Sequence, residues 1–454
     1  MTYDELRARV SSWPPLRLAR MRCERESVGV VLPAGLPVRG GMPLRFIGLD
    51  VHREFAQIAI VEGGQGRHAG RIPTTPAALR GFAETLGPDD QVALEATCNT
   101  FAIVRLLQQH AGSVVVSNPL RTRAIAEAKI KTDKVDAEVL VHLLASGWLP
   151  AVWVPDDRTQ ILRQQVAHRA RLVQQQVRLK NRVHGILHRN LVLGCPRSDL
   201  FGKGGRRWLE LQALPALPPH ERTTAEATLR ELDLIGRELA TVERTLASTA
   251  LESPEVRRLM TIPGIDAMTA LVLVAAIGNI QRFSSSAKLV GYLGLDPRVR
   301  QSGTQPASYG PISKQGRAYA RGMAVEAAWA AVKAPGPLRG FYQRIRARRG
   351  PQIAVVATAR KIVVLAWHLL TRGADYAFAR PSLLAQKRRN LELRAGRPSQ
   401  RGRRGAWHAY NLKEVRRREW ALAVQAERAY KTFTEHWHPA RPRIDASASR
   451  GERR

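Results

Sequence analysis

The sequence predicts a mixed α/β domain followed by a mainly α-helical region. Apolar strand-like runs alternate with helical segments from about residue 44 to residue 156. Two long segments with apolar residues near heptad spacing follow, and then come helices joined by short loops. Hydrophobic residues make up 44% of the 454 residues, which is enough for several cores and about three domains.

The α/β part begins with two strands and then alternates. FIGLDV and AQIAIVEG read as a β-hairpin with Arg53 and Glu54 near its turn. The segments that follow are a helix in TPAALRGFAETL, a strand in QVALEA, a helix in FAIVRLLQQHA, a strand in SVVVSNP and a helical stretch over about 119–146. This order is that of an RNase H-like sheet.

Two long helices are predicted next. The first covers 157–190, and its apolar seam is Leu162, Val166, Val173, Val177 and Leu187. The second covers about 221–250 and carries Leu229, Leu232, Leu239, Val242 and Leu246. They form an antiparallel helical hairpin, a coiled coil between two copies, or a plain pair of helices inside one domain.

The two ends of the chain show no steady hydrophobic period. Residues 1–41 read as a disordered extension or a non-native start, and 374–454 as a basic tail with one helix over Leu412–Trp437. That tail either contacts nucleic acid or is simply solvated. The predicted divisions are therefore 1–41, 42–156, 157–250, 251–373 and 374–454.

The charge of the chain indicates a polyanionic partner. Lysine and arginine number 72 against 38 acidic residues, for a net charge of +34. Such an excess destabilises a compact fold unless a polyanion neutralises it. An arginine-rich genome would give the same composition without that meaning.

Cysteine usage and apolar runs bear on location. Cys23, Cys98 and Cys195 are far apart, so neither a disulfide framework nor a zinc site is supported, and a reducing cytoplasm fits. The apolar run around Ala267–Gly278 is too short to span a bilayer. We therefore expect no membrane association.

Four carboxylates are the main candidates for catalysis. They are Asp50, Glu95, Asp133 and Asp136. The first two end apolar strands, and the last two share a helix face at i,i+3 spacing. Like charges repel, so a divalent metal is needed to bring them together, and metal-bound carboxylates suit phosphoryl transfer.

Each carboxylate also has a structural alternative. Asp133 could stabilise the first turn of a helix capped by Thr132, and Asp136 could pair with Lys134. Glu95 could be an ordinary acid at the end of a strand. The neighbouring lysines Lys129, Lys131 and Lys134 are candidates for holding a phosphate backbone.

TIPGIDAMTALVLVAAIG has the form of a helix-hairpin-helix. Its Gly264 would let backbone N–H groups approach a phosphate. A packed helical turn is the alternative.

The serines after Arg282 differ in their expected roles. Ser284 or Ser285 suits a helix N-cap, and so does Ser313. Ser302 has no such role and follows two arginines in a loop, so it is a candidate nucleophile or part of a phosphate-binding turn. The basic residues expected to contact nucleic acid here are Arg298, Arg300, Lys314 and Arg317.

Taken together, these motifs resemble those of the insertion-sequence-110-type transposases. The motifs are IGLDVH, ALEATC, KTDKVDAEVLVHLL, IPGIDAMTAL, RFSSSAKLVGYLGLDPRVRQSG and ISKQGRAYAR, and they cover about Leu44 to Gly373. The resemblance implies a RuvC-like domain whose metal-binding tetrad is Asp50, Glu95, Asp133 and Asp136, with Mg²⁺ or Mn²⁺ as the ion. It also implies a C-terminal serine domain whose nucleophile is Ser302.

The resemblance implies partners as well. Members of this family are site-specific recombinases that act on double-stranded DNA at the element ends and target, and some are guided by a structured RNA. The family assembles as a tetramer that pairs the tetrad of one protomer with the serine of another, so a homo-oligomer, dimer to tetramer, is expected for this chain. A cytoplasmic, nucleoid-associated bacterial protein is expected.

Three other functions stay open on the residues alone. A junction-resolving nuclease would use the tetrad without a covalent serine. An actin-like ATPase or sugar kinase would share the first hairpin, although this chain shows no later Asp-Gly-Gly phosphate loop. A non-catalytic nucleic-acid-binding protein would need none of the carboxylates.

Overall fold

The computed structural model describes residues 44–125, 132–192, 194–302, 307–398 and 412–435. Within them the chain divides into two compact units, and the division falls after Asp156. The predicted extension over 1–41 and the candidates Lys129 and Lys131 lie outside the described residues. The predicted five-part division of the chain stays a prediction.

The unit that ends at Asp156 is α/β. Its strands are β1 (Arg45–Val51), β2 (Phe55–Glu62), β3 (Gln65–Pro73), β4 (Gln91–Glu95), β5 (Ser113–Ser117) and β6 (Ala151–Val152). Its helices are α1 (Pro76–Ala83), α2 (Thr100–Leu107), α3 (Pro119–Ile125) and α4 (Asp133–Ala145).

The six strands form one mixed sheet in the order β3-β2-β1-β4-β5-β6. Strands β1, β2 and β3 form an antiparallel meander, and β4 and β5 run parallel to β1. This arrangement is consistent with the predicted RNase H-like fold. Strand β3 was not predicted. It follows Gly63 and Gly64, two residues with φ of 56° and 82° that make the tight turn.

Helices cover both faces of this sheet. Ile47 and Leu49 of β1 point toward α1 and α2, where they join a buried cluster with Leu79, Ile103 and Leu107. The alternate residues of β1 face α4, since side chains alternate along a strand. The α4 face therefore carries Asp50.

Gly48 allows α4 to lie directly on β1. A Cβ atom at Gly48 would stand 2.3 Å from the carbonyl oxygen of Ala137 and 2.9 Å from the backbone nitrogen of Val141. Both distances are shorter than van der Waals contact, so only glycine permits this approach. One turn earlier on α4 lie the acidic residues that face the end of β1.

The unit from Asp157 onward is mainly helical. Its helices are α5 (Asp157–Arg189), α6 (Lys203–Trp208), α7 (Pro219–Glu252), α8 (Pro254–Leu259), α9 (Ala267–Ile277), α10 (Ser286–Tyr292), α11 (Ala318–Ala331), α12 (Pro337–Arg372), α13 (Pro381–Arg394) and α14 (Lys413–Glu435). A short hairpin of β7 (Pro297–Arg300) and β8 (Ser308–Ile312) interrupts them.

Helices α5 and α7 pack against each other in antiparallel directions. Arg189, at the end of α5, pairs with Glu221 at the start of α7 with an N···O distance of 2.6 Å. Arg169, nearer the start of α5, pairs with Glu243, nearer the end of α7, with an N···O distance of 2.6 Å. These two ion pairs establish a helical hairpin within one chain, and the predicted coiled coil between two copies stays a prediction.

The predicted seam of α5 is partly wrong. Leu172 and Leu179 are buried, whereas the predicted Val177 is 49% exposed and Val173 only half-buried. The predicted Leu162, Val166 and Leu187 are buried as expected.

The turn around Gly264 is a packed one. Gly264 has φ of +85°, and a Cβ there would meet the carbonyl oxygen of Ala327 at 2.1 Å. The half-buried Lys387 of α13 donates from Nζ to the carbonyls of Met260 and Ile265 at 2.8 and 2.7 Å. Burial lowers the pKa of Lys387 to about 8. Close backbone packing thus accounts for the glycine, and its contact with phosphate stays a prediction.

Two N-cap predictions for the serines have different outcomes. Ser285 caps α10 by accepting from the backbone N–H of Lys288. Ser313 does not cap α11, whose N-cap residue is Arg317. Instead the Ser313 hydroxyl donates to Asp296 Oδ1 at 2.7 Å. That bond joins the two strands' flanks at the base of the β7–β8 hairpin.

The described part of the predicted basic tail is folded onto the helical unit. Helix α14 matches the predicted helix, but α13 was not predicted. Glu427 of α14 is buried and accepts from Arg339 Nε at 2.8 Å and from the backbone N–H of Gly336 at 3.1 Å. A free, solvated tail is therefore wrong for these two helices.

Among the residues that the structure describes, α12 is the one helix long and apolar enough to cross a membrane. Its non-helical residue Gly350 (φ 79°, ψ 169°), followed by Pro351, divides it into a basic first part and an apolar second part. In the apolar part, Val355, Ile362 and Leu369 lie in the core cluster of the helical unit. A core helix accounts for its composition.

Candidate active site

The candidate site is built at the carboxyl end of β1. Asp50 projects from β1 toward α4, and its side chain is only 14% exposed. The backbone of Asp50 pairs with that of Gln57 on β2, which holds the strand end in register. Asp50 is thus a carboxylate fixed on rigid backbone and largely removed from water.

Asp133 and Asp136 reach the same place from the first turn of α4. Thr132 caps that helix, since its hydroxyl accepts from the backbone N–H of Val135 at 3.4 Å. Acidic residues in the first turn are stabilised by the helix dipole, which is the structural role considered above for Asp133. That stabilisation and a role at the site are compatible, because both place the carboxylates at this end of α4.

His52 joins two of the carboxylates. Its Nε2 lies 3.0 Å from Asp50 Oδ2 and 3.2 Å from Asp133 Oδ1. One ligand atom from each of these three residues lies within 4.8 Å of the other two. His52 was not among the predicted site residues. Side chains alternate along an extended chain, so residues 50 and 52 lie on the same side of it. The spacing of His52 from Asp50 was therefore the feature of the sequence that pointed to His52.

The electrostatics of Asp50 favour a bound cation. Burial raises the pKa of the Asp50 carboxyl above its usual range, and the charges of Asp136 and Asp133 add to that effect, while His52 opposes it. The ionised form is therefore destabilised by its surroundings. Asp136 acts on Asp50 through this charge, although it is outside the three-residue group.

Glu95 lies at the neighbouring strand end. Strand β4 runs parallel to β1 with Leu94 beside Leu49. Glu95 and Asp50, the next residue of each strand, are therefore neighbours at the carboxyl ends of these two strands. Glu95 is half-buried. The structure thus brings Asp50, Asp133 and His52 into one group, with Asp136 and Glu95 adjoining it.

Arg71 of β3 approaches this group from the side. Its Nη2 lies 3.4 Å from Asp133 Oδ2, and its guanidinium lies 4.4 Å from the ring centroid of Phe55. Its Nε donates to Gln57 Oε1 at 3.0 Å, and the buried Gln57 donates in turn to the carbonyl of Gly70 at 2.8 Å. Sequence reasoning missed Arg71 because it missed the strand that carries it.

The donor set fits a divalent metal ion. Two carboxylates and an imidazole present ligand atoms within 4.8 Å of one another. Carboxylate oxygens suit hard divalent ions, and an added imidazole is tolerated by transition-metal ions. Asp50, Asp133 and His52 would hold the ion, with Glu95 and Asp136 beside it.

Ser302 lies in the other unit, at the end of the β7–β8 hairpin. It is exposed and follows β7 by two residues. Arg298 and Arg300, on β7, are exposed as well, and Arg300 stands opposite Ser308 of β8. The hairpin itself was not predicted. It presents Ser302 and two guanidiniums to solvent on one short ribbon.

The other predicted contact residues differ in their surroundings. Lys134 and Lys314 are exposed. Arg317, also exposed, already donates from Nε to the Tyr292 hydroxyl at 2.9 Å. Arg163 and Arg282 join Arg317 in lowering the pKa of Tyr292, against the effect of burial. Arg317 therefore has a structural role besides any contact with nucleic acid.

Comparison with protein families gives two matches in the same order as the two units. Residues 47–190 match a transposase model of the DEDD type, and residues 256–343 match the model described as Transposase IS116/IS110/IS902 family. The first match contains all four predicted carboxylates, and the second contains Ser302.

Individual relatives are transposases of insertion sequences. The chain is 26% identical over 258 residues to the transposase for insertion sequence element IS1111A of Coxiella burnetii, covering 54% of this chain and 68% of the relative. It is 25% identical over 293 residues to the transposase for insertion sequence element IS1328 of Yersinia enterocolitica, covering 63% and 85%. An uncharacterized insertion element IS110 protein of Streptomyces coelicolor is 25% identical over 394 residues, covering 74% and 96%.

Three findings support the same assignment. They are the acidic group at the carboxyl ends of β1 and β4, the mainly helical region that follows, and these family matches. The chain belongs to the IS116/IS110/IS902 family of transposases, enzymes that cleave and rejoin DNA.

Proposed function

We propose that this transposase excises and inserts an insertion sequence as a site-specific recombinase, with two chemical centres. The first holds Mg²⁺ or Mn²⁺ at the predicted tetrad of Asp50, Glu95, Asp133 and Asp136, with His52 as a further ligand beside Asp50 and Asp133. The observation that carries this proposal is the contact of Asp50 and Asp133 with one imidazole at the end of β1. The raised pKa of Asp50 supports it, because a cation relieves the cost of its ionised form.

A bound divalent ion supplies Lewis acidity and neutralises charge on a phosphodiester. The residues of the chain fix its place. Gly48 keeps α4 against β1, and the capped first turn of α4 sets the direction of Asp133. Arg71, held by Gln57 and Phe55, orients Asp133 and offers a guanidinium to the DNA backbone.

The metal centre is tested with the full chain. Asp50→Asn removes a ligand charge, and we expect strand cleavage with Mg²⁺ or Mn²⁺ to fall at least about 100-fold. Asp89→Asn, an exposed acid of the same unit, is the matched control and should cleave as the wild type does. Equal activity of the two variants would reject the metal centre.

The second centre is Ser302. Its Oγ loses a proton and bonds to the phosphorus, while the bond to the 3′-oxygen of the strand breaks and that oxygen takes up a proton. A 3′-hydroxyl of the partner strand then attacks the phosphoserine, and the serine hydroxyl is restored. The exposed Arg298 and Arg300 bind the phosphate and favour its developing charge.

A covalent adduct is the direct readout. Ser302→Ala should bind element-end DNA with wild-type affinity and form no protein–DNA adduct on a denaturing gel. Ser308→Ala, across the hairpin from Arg300, is the control and should form the adduct. An adduct that persisted in Ser302→Ala would reject the assignment, and Ser313 would be tested next.

A hydrolytic nuclease of the junction-resolving type is the second candidate. The acidic group at the sheet edge favours it, since clustered carboxylates suffice for metal-dependent hydrolysis without a protein nucleophile. The reaction products distinguish the nuclease from the recombinase. Free ends with no adduct in the wild-type protein would indicate the nuclease, and rejoined strands would indicate the recombinase.

The remaining partners are proposed on the family resemblance. They are a structured guide RNA and a homo-oligomer, dimer to tetramer. Extraction of RNA from protein purified out of its native host tests the first, and sedimentation of the full chain tests the second. The exposed Lys134 and Lys314 and the turn at Gly264 are proposed to contact nucleic-acid phosphates.

A further inference from the structure

A basic groove lies where α13 and α14 meet, beyond both segments that match the family. It has a volume of about 520 Å³. Its lining includes Arg380, Leu383, Lys413, Arg416, Arg417 and Trp420. The family matches end at residue 343, so they assign nothing to this groove.

The floor of the groove is rigid. Glu419 accepts from the backbone N–H of Ser382 at 2.9 Å and from its hydroxyl, so α14 is bonded to the first turn of α13. Ser382 is buried. Further along α14, Glu427 is bonded to Gly336 and Arg339, which anchors the helix on the core.

Charge in the groove is strongly positive. Four of its side chains are basic, and Glu419 is the acidic one among the lining residues. Both carboxylate oxygens of Glu419 already bond to Ser382 at the N-terminus of α13. An anion entering the groove therefore meets guanidinium and ammonium groups around a carboxylate that is already hydrogen-bonded.

Trp420 gives the groove an aromatic surface. The residue is 47% exposed, which is high for an indole on a packed helix. The guanidinium of Arg380 lies over the ring of Trp420, 6.0 Å from a ring centroid, at the outer limit of cation–π contact. Basic side chains around an exposed aromatic ring are the usual means of binding an unpaired base on its phosphate chain.

We propose that this groove binds single-stranded nucleic acid, with a base stacked on Trp420 and phosphates on Arg416, Arg417 and Lys413. A base inside a duplex is stacked on its neighbours and cannot lie on the indole, so the groove selects unpaired strands. RNA and single-stranded DNA share this chemistry. The inference goes beyond the proposed function, because neither the carboxylates nor Ser302 takes part.

Photocrosslinking of the full chain tests the stacked base. Short single-stranded oligonucleotides that carry iodouracil, one of RNA and one of DNA, are irradiated with the protein, and the crosslinked peptides are mapped by mass spectrometry. We expect a crosslink at Trp420 that unlabelled single strands compete away and duplex DNA does not. No crosslink on α14 with either oligonucleotide would overturn the proposal.

Affinities of matched variants give a second, independent test. At about 0.2 M salt, where non-specific binding is weak, Trp420→Ala should bind single strands about 5- to 100-fold more weakly and duplex DNA unchanged. Trp420→Phe should retain most of the affinity. Leu422→Ala, at an exposed position of the same helix outside the groove lining, should bind as the wild type does.

A charge-matched pair keeps the proposal testable if Trp420→Ala misfolds. Arg417 lines the groove and the adjacent, exposed Arg418 does not, so Arg417→Gln and Arg418→Gln change net charge equally. Only Arg417→Gln should weaken single-strand binding beyond the general effect of one charge.

The variants' loss of affinity for RNA and for single-stranded DNA shows which kind of strand the groove binds. Loss confined to RNA assigns the groove to RNA, loss confined to DNA assigns it to an unpaired DNA strand, and equal loss assigns both. Single-strand affinities within twofold of the wild type in both Trp420→Ala and Arg417→Gln would overturn the proposal, as would an equal loss for duplex DNA.

Discussion

At the scale of residues, Gly48 decides whether the acidic group can form. The end of β1 and the first turn of α4 meet only because no side chain separates the strand from the backbone of Ala137 and Val141. Asp50 and Asp133 then face each other within reach of one imidazole. Gly48, two residues before Asp50, is thus a positioning residue for the candidate site.

Gly48→Ala should therefore lower both stability and metal affinity. The added Cβ forces α4 outward, which costs about 1 to 3 kcal/mol of unfolding free energy. Gly81→Ala in α1 is the control, because nothing lies within 4 Å of its Cβ and alanine favours a helix. Thermal unfolding and Mn²⁺ titration of both variants measure the effect. A Gly48→Ala protein as stable as wild type would contradict it.

His52 gives the second prediction at this scale. Because its Nε2 contacts both Asp50 and Asp133, removing the ring should weaken Mn²⁺ binding about 10- to 100-fold. His68→Ala, on the exposed strand β3, should bind Mn²⁺ as the wild type does. Titration followed by the electron paramagnetic resonance signal of free Mn²⁺ measures metal binding without DNA or turnover. Unchanged affinity in His52→Ala would exclude His52 from the site.

Apolar periodicity singled out the acidic residues of the candidate site but not their companions, and the catalytic role of these acids stays a prediction. Asp50, Glu95 and Asp133 stand at strand and helix ends that apolar periodicity marks clearly. Arg71 carries no such mark, since its position depends on the pairing of β3 with β2, and His52 is marked only by standing two residues after Asp50. The predicted role of Ser302 stays a prediction.

At the scale of elements, the α5–α7 hairpin shows where periodicity stops being informative. Val173 and Val177 are four residues apart and Leu172 and Leu179 are seven apart, and both intervals are typical of an apolar seam along a helix. The ion pairs of Arg169 and Arg189 with α7 select the second seam. Pairing between helices, which no single helix encodes, therefore sets the face that is buried.

Leu179→Ala and Val177→Ala separate the two seams. Leu179 is 9% exposed and packs in the hairpin cluster, so its truncation should lower the unfolding free energy by about 2 to 3 kcal/mol. Val177 is 49% exposed, and its truncation should change stability by less than about 0.5 kcal/mol. Chemical denaturation measures both. Equal losses would restore the predicted seam.

The missed strands β3, β7 and β8 share one physical cause. Strand β3 is exposed along nearly its whole length, and β7 and β8 are mostly exposed as well. Their side chains bury little, so no alternation of polar and apolar residues appears. They form because backbone pairing with a neighbour satisfies their N–H and C=O groups. Such pairing is a property of the folded chain and is absent from local composition.

At the scale of the whole molecule, the net charge of +34 governs how the enzyme meets DNA. Basic side chains release counterions when they bind phosphates, so duplex affinity should fall about 10³-fold or more between about 50 and 200 mM salt. Filter binding or anisotropy across that range measures the slope. A nearly flat dependence would mean that the excess charge lies away from the DNA and reflects genome composition alone.

The bonds of Glu427 make the helical unit depend on its C-terminal helix α14. The Glu427 carboxylate accepts from Arg339 Nε and from the backbone N–H of Gly336, two residues inside the segment that matches the family model. Deleting α14 would leave Arg339 and that backbone N–H without this acceptor and would remove Tyr430 from its place beside Gly340. A protein shortened before α14 should therefore be less stable even though both of its family-matching segments are intact.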